Sequence, residues 1–184
     1  MTERLIVAID PSIVKPGWAV LRVPDRRATL VHDVRSLYVD SGTWGTSPRD
    51  PLAERLAYLA DCCRRLCAQY PPYRAYVEEP PITGTYSAHR GKSRGAQQAI
   101  LGGSLAQMQR AAGVFLAVLG SHCPTEAVKA GNPAPGRGRG NAKAARRAIV
   151  LGYWPQLADR SEDEIDAIHL ALTVATDARR RWAA

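Results

Sequence analysis

Nowhere in its 184 residues does the chain carry an apolar run near the roughly 18 residues that a membrane-spanning helix needs, which excludes an integral membrane protein. The N-terminal MTERLIVAIDPS lacks the basic, apolar and small-residue succession of a secretory leader, so a cytoplasmic protein is expected. Cysteine is scarce. Three of the four (Cys62, Cys63, Cys67) share one expected helix and Cys123 stands alone, with no His or Cys at zinc-ligand spacing. Neither a zinc site nor a disulfide framework is expected, and the thiols are read as free and buried. Acids are nearly missing from the middle of the chain: residues 90–147 hold ten basic side chains and a single acid, Glu126. Residues 1–89 hold 11 basic and 10 acidic, and residues 148–184 hold 4 and 6, so the net charge of +8 comes from that middle stretch. A basic face kept for solubility would carry interspersed acids. One this lopsided points to a polyanionic partner.

At 46% hydrophobic the chain is rich enough to fold, and its length suits one domain over 1–184. Leu5-Ile6-Val7-Ala8-Ile9 is an unbroken apolar run ended by Asp10, the pattern of a central strand covered on both faces. Trp18–Val23 reads as the returning strand and Ala28–Val39 as a third, joined as an antiparallel meander. A Gly/Pro/Ser-rich loop is expected from Ser41 to Asp50. Asp50-Pro51 then supplies an N-cap and a first-turn proline for a helix whose Leu52, Leu56, Leu59, Cys63, Leu66 and Tyr70 recur at helical spacing. Ala75–Glu78 is a short strand, Gln97–Leu119 an apolar helix and Ser121–Thr125 a further strand. Gly131–Gly140 (GNPAPGRGRG) is a flexible basic loop, after which Asn141 caps a helix to about Tyr153. The last helix runs from Ser161 to about Arg181. The order of elements gives an α/β layer fold with a five-stranded mixed sheet flanked by helices.

Three acidic positions lie at element ends. Asp10 ends the first strand and Glu78 the fourth, with Glu79 on the opposite face; open α/β sheets bind ligands at such carboxyl ends. In Ser161-Glu-Asp-Glu-Ile-Asp166, Ser161 and Glu164 form a capping box, and first-turn acids suit the helix dipole. Asp163 and Asp166 also fall on one stripe with Leu170 and Val174, opposite Ile165, Ile168 and Leu172. Two readings stand on these residues alone: helix caps and strand ends, or a carboxylate cluster. Clustered carboxylates need a counterion, and all-oxygen ligation suits Mg²⁺ or Mn²⁺. His169 on the same helix is expected to be a packed or surface histidine, and Trp18 a core residue. Gly136–Gly140 lacks Walker spacing and is read as contacting nucleic-acid phosphates.

LIVAIDPSIVKPGWAV, AYVEEPP, EAVKAG with GNAKAARRAIV, and SEDEIDAIHLAL come in the order and spacing of the motifs of RuvC-type Holliday junction resolvases, which the chain resembles. The resemblance implies a ribonuclease H-like fold, a homodimer acting on four-way DNA junctions, and two Mg²⁺ per active site. By it, Asp10, Glu78, Asp163 and Asp166 match the metal-binding and catalytic acids. Lys143 and Lys129 match basic positions near the scissile phosphate, Lys143 closer to the developing charge. Arg90, Lys92, Arg94, Arg137, Arg139, Arg146 and Arg147 are expected to join them in binding DNA. Pro81 stands where bacterial members carry a wedging aromatic, Tyr86 being the nearest downstream, and Arg137–Arg147 is unusually Arg-rich; phage resolvases vary in this way. A ribonuclease H-like nuclease acting on structured RNA or flaps, and a non-catalytic junction-binding protein, are the rival readings. The Gln97–Leu119 helix is the expected dimer element.

Overall fold

The computed structural model describes residues 4–23, 31–80, 103–129 and 139–183. Strand β1, Leu5–Asp10, is central in a five-stranded sheet of order β3-β2-β1-β4-β5. Pleating sends its alternate side chains to opposite faces: Ile6 and Ala8 enter one core cluster, Val7 and Ile9 the other. That is why the run is apolar throughout. β2 (Gly17–Arg22) pairs antiparallel with β1, and β3 (Tyr38–Thr43) antiparallel with β2, as a meander requires. β4 (Arg74–Glu78) and β5 (Thr125–Val128) run parallel to β1, so the expected mixed sheet is present.

One face is covered by α1 (Leu52–Gln69) and α2 (Ser104–Gly120). Helix α1 buries Leu59, Cys63 and Leu66 against Val7, Val20, Ala75 and Val77, and α2 adds Ala111, Phe115 and Leu119. All four cysteines are free and buried. On the other face α4 (Glu162–Ala183) lies across β1 and β2, flanked by α3 (Arg139–Tyr153). Trp154, between those helices, is 1% exposed, packs its ring tilted against Tyr38 at 5.8 Å and donates its indole N–H to the Arg35 carbonyl at 3.0 Å. Trp154→Ala is expected to cost about 3–5 kcal/mol, lowering the melting temperature by about 10 °C in a chain this size. Thermal unfolding followed by circular dichroism checks this; a shift of a degree or two would show that the site collapses around the loss.

Several element boundaries differ from the sequence reading. Val31–Leu37, expected within a strand, is a 3-10 helix that places Val34 and Leu37 three apart on one buried face, and the strand follows it at Tyr38–Thr43. Ser41 and Gly42 had suggested a loop. Ser41 in fact points inward because its hydroxyl donates to the buried Glu164 carboxylate at 2.6 Å, while Gly42 lies beneath the Trp18 ring. Pro51, not Asp50, occupies the N-cap of α1, and no side chain caps it. Helix α2 begins after Gly103, whose φ of 81° glycine tolerates; residues 97–102 lie outside the described set. The last turn of α2 continues through Ser121–Cys123 by backbone bonds to Val118 and Leu119, which displaces β5 to Thr125–Val128. Helix α3 starts at Arg139, so Arg139 and Gly140 leave the expected loop and Asn141 lies inside the helix. No described helix is long and apolar enough to cross a membrane.

Candidate metal and nucleic-acid site

The register of three neighbouring strands builds the site. Ile9 pairs with Val77, so Asp10 and Glu78 emerge side by side at the carboxyl ends of parallel strands. Asp10 also pairs with Gly17 across the antiparallel ladder. Gly17 in turn lies directly against the backbone of Asp163: a β-carbon there would overlap the Asp163 carbonyl and stand 3.0 Å from the Glu164 nitrogen. Only glycine lets the first turn of α4 approach β2 so closely, and that approach carries Asp163 and Asp166 to the strand ends.

The acids feel each other strongly. Burial first, then the charges of Glu78, Asp166 and Asp163, hold the Asp10 carboxyl well above its ordinary value, and it also hydrogen-bonds to Glu78. Burial raises Glu78 as well, with Arg146 opposing and Asp166 adding to the rise. Asp163 is raised by burial, against the pull of Lys143 and Lys15. Asp10, Glu78 and Asp163, each raised by burial with the charge of Asp166 adding to the rise, form a region of negative potential that a cation relieves. The oxygen-only donor set fits a hard divalent cation. Among the described residues no three His, Cys, Asp or Glu side chains already surround a single ion position. Asp10 and Glu78 are bonded to each other, and Asp166 Oδ1 faces the Arg146 guanidinium at 3.2 Å.

The second expected role of the last helix divides between neighbours. Ser161 does cap α4, accepting from the Glu164 N–H at 3.4 Å. The returning arm of the capping box is absent: Glu164 is buried, bonded to Ser41 and paired with Arg160 at 3.4 Å. Glu162 is exposed and holds Lys143 at 2.8 Å, which lowers the Glu162 pKa and raises that of Lys143. Alternate acids of one helical turn therefore face the core, the solvent and the site.

The basic residues are placed unequally. Lys143, Arg147, Glu162, Ile165 and Asp166 line a cavity of about 280 Å³ beside the acids. Lys129 is exposed just beyond β5, two strands from Asp10. Arg139 opens α3. Arg147 donates to the carbonyls of Arg160, at 3.2 Å, and Ala158, and so ties α3 to the loop before α4. Arg90, Lys92, Arg94, Arg137, Pro81 and Tyr86 lie outside the described residues. His169 is buried and its pKa is lowered, by burial and then by Arg146. Trp18 is half-buried, its ring 6.1 Å from that of Trp44.

Two contributors escaped the sequence reading. Lys15, in the turn after Asp10, faces Asp163 electrostatically; its place between Pro11 and Pro16 was the available signal. Arg55 is buried on α1, donating to the Ile13 carbonyl at 3.1 Å and to Thr46 Oγ1 at 3.1 Å, which fixes the turn that follows Asp10. No local pattern marks it, since both partners are distant in sequence.

No family model matches the chain. Among curated proteins, the crossover junction endodeoxyribonuclease RuvC of Azorhizobium caulinodans is 30% identical over 173 residues, 92% of this chain and 88% of that protein. The RuvC proteins of Orientia tsutsugamushi and Rickettsia prowazekii are 30% identical over 100 residues. Those two alignments take in 53% of this chain and span 58% and 59% of the relatives' lengths. Among solved structures, that of Thermus thermophilus RuvC superposes with a TM-score of 0.68 at 19% identity, covering 96% of both chains. The same protein in complex with a Holliday junction substrate gives a TM-score of 0.63. At this identity the likeness bears on the fold, which is ribonuclease H-like.

Proposed function

Because this chain belongs to the RuvC family of crossover junction endodeoxyribonucleases, we propose that it resolves four-way and other branched DNA by paired, metal-dependent nicks. The observation that carries the reading is the placing of Asp10 and Glu78 at the carboxyl ends of adjacent strands, with Asp163 and Asp166 near enough to raise the Asp10 pKa. A protein whose acids served only as helix caps would have no reason to bury Asp10 against three others.

Asp10, Glu78, Asp163 and Asp166 would hold two Mg²⁺ ions, or Mn²⁺ in their place, which when bound supply an activated water and stabilise the departing 3′ oxygen, leaving 5′-phosphate ends. The protein's own contribution is to orient and to neutralise. Arg55 braces the turn after Asp10, and Gly17 lets Asp163 approach the strand ends. Lys143, held cationic by Glu162 at the mouth of the cavity, meets the reacting phosphate. Lys129 and Arg139, together with Arg90, Lys92, Arg94 and Arg137, supply phosphate contacts along the duplex arms. A homodimer built on α2 would present two such sites across a two-fold axis, matching a symmetric junction in the cytoplasm of a bacterial cell. A phage or prophage source agrees with the Arg-rich stretch.

The test is a metal titration of cleavage on a synthetic immobile junction with fragment ends mapped, beside flap, duplex and RNA–DNA hybrid substrates. Symmetric paired nicks on the junction are expected. Preferential cutting of the hybrid or the flap would favour the rival nuclease, and no cutting of anything the binding protein. Junction affinity is further expected to fall by about 10³-fold or more between low and physiological salt, as several phosphate contacts require. Fluorescence anisotropy measures it, and a flat salt profile would remove the basic residues from the interface.

A further inference from the structure

Arg146 sits on the wrong stripe for a surface cation. Ala142, Arg146 and Val150 follow one another at i, i+4 and i+8 along α3, and Val150 is fully buried in the core shared with α4. The Arg146 side chain is 15% exposed and its partner Asp166 9%. Nη1 reaches Asp166 Oδ1 at 3.2 Å, yet Nε is buried with no hydrogen-bond partner. The guanidinium also acts electrostatically on Glu78 and His169, so it stands among the acids rather than beside them. A buried pair kept for stability alone gains most from a two-point fork with its donors satisfied. A contact that leaves Nε orphaned is instead one that another cation can displace.

We infer that Arg146 is a resident counter-cation of the carboxylate cluster, which competes with a divalent ion for Asp166 and thereby sets the ion concentration at which the site fills. The inference rests on the reading of the four acids as a divalent-ion centre. Lys143, one turn earlier, also pulls on Asp163, but its ammonium pairs with Glu162 at 2.8 Å on the cavity wall and not with Asp166. Competition for one carboxylate oxygen lowers apparent ion affinity by the fraction of molecules in which Arg146 holds it. Removing the guanidinium therefore has two opposite effects: ions bind more tightly, and the chelator-treated protein loses the charge that offsets acid repulsion.

Isothermal calorimetry with Mn²⁺ in the absence of DNA, together with melting in chelator and in saturating Mg²⁺, tests this on the full chain. Arg146→Met is expected to tighten Mn²⁺ binding on the order of tenfold, to melt lower in chelator than the wild type, and to gain more from Mg²⁺. Arg147→Met removes the same charge from the same helix and is expected to change Mn²⁺ affinity less than about twofold, because Arg147 is bound to carbonyls. If Arg146→Met does not fold, Arg146→Lys carries the test, since a point charge on a different reach competes less well. Wild-type binding of Mn²⁺ with no tightening in the Arg146 variant read, or with equal tightening in Arg147→Met, overturns this inference alone. A wild type that binds no Mn²⁺ overturns the metal-centre reading and this inference with it.

Discussion

Asp10→Asn is expected to reduce Mg²⁺-dependent junction cleavage by about 10³-fold or more while making the chelator-treated protein more stable. Both outcomes come from one fact: Asp10 is buried among three other acids. The carboxylate is one of the four that would hold the ions, and an amide carries neither the charge nor the second donor oxygen to replace it. In the absence of ions that charge is a liability. The folded-state pKa of Asp10 lies above the ordinary 3.8, so the folded protein binds this proton more tightly than the unfolded chain does. Stability therefore declines as pH rises from about 4 through the raised pKa, and stays low above it. Asparagine removes that penalty. The variant should show a flatter pH–stability curve than the wild type and a melting temperature several degrees higher at neutral pH, the shift that about 1–3 kcal/mol produces in a chain of this length. Added Mg²⁺ should then stabilise the wild type and leave the variant nearly unchanged. Junction binding should survive, because the phosphate contacts lie elsewhere. A variant that cuts at the wild-type rate would leave the acids as structural residues only.

Gly17→Ala should be nearly as damaging, through geometry rather than chemistry. The added methyl would overlap the Asp163 carbonyl, which is backbone in the first turn of α4 and has no rotamer to yield. Either β2 or the start of α4 must move. Overpacking at such a contact costs about 2–4 kcal/mol, and cleavage should fall by about 10²-fold because Asp163 and Asp166 leave register with Asp10 and Glu78. The stability loss is read from chemical denaturation, and the displaced acids from weakened Mn²⁺ binding without DNA. Normal ion affinity in a destabilised variant would show that the close approach serves packing alone. Gly17 stands seven residues after Asp10 because the turn between them returns the chain to the same ladder rung.

The acids were legible in the sequence because each follows from a local rule. An unbroken apolar run names a doubly covered strand, its last residue is the first that can reach solvent, and Asp163 and Asp166 share a stripe because a helix repeats every 3.6 residues. The cations were less legible. The charge count showed that residues 90–147 favour a polyanion, but it assigned Arg146 and Arg147 the same outward role. In the structure, one is drawn inward to Asp166 and the other is spent on carbonyls. Arginine is long enough to reach in either direction, and nothing near it in sequence says which.

By itself, then, the sequence determined the central strand, the meander, the helix that opens on acids and the oxygen-only character of the site, since periodicity and composition are properties of the chain and need no partner. Tertiary structure decided which of Glu162, Asp163, Glu164 and Asp166 face solvent, core or site. It also made Ser41 a strand residue rather than a loop, and brought Arg55 to the turn after Asp10. These outcomes hang on contacts between residues as far apart as Ser41 and Glu164. The energy of a buried hydrogen bond or ion pair exists only once packing has removed water from both partners.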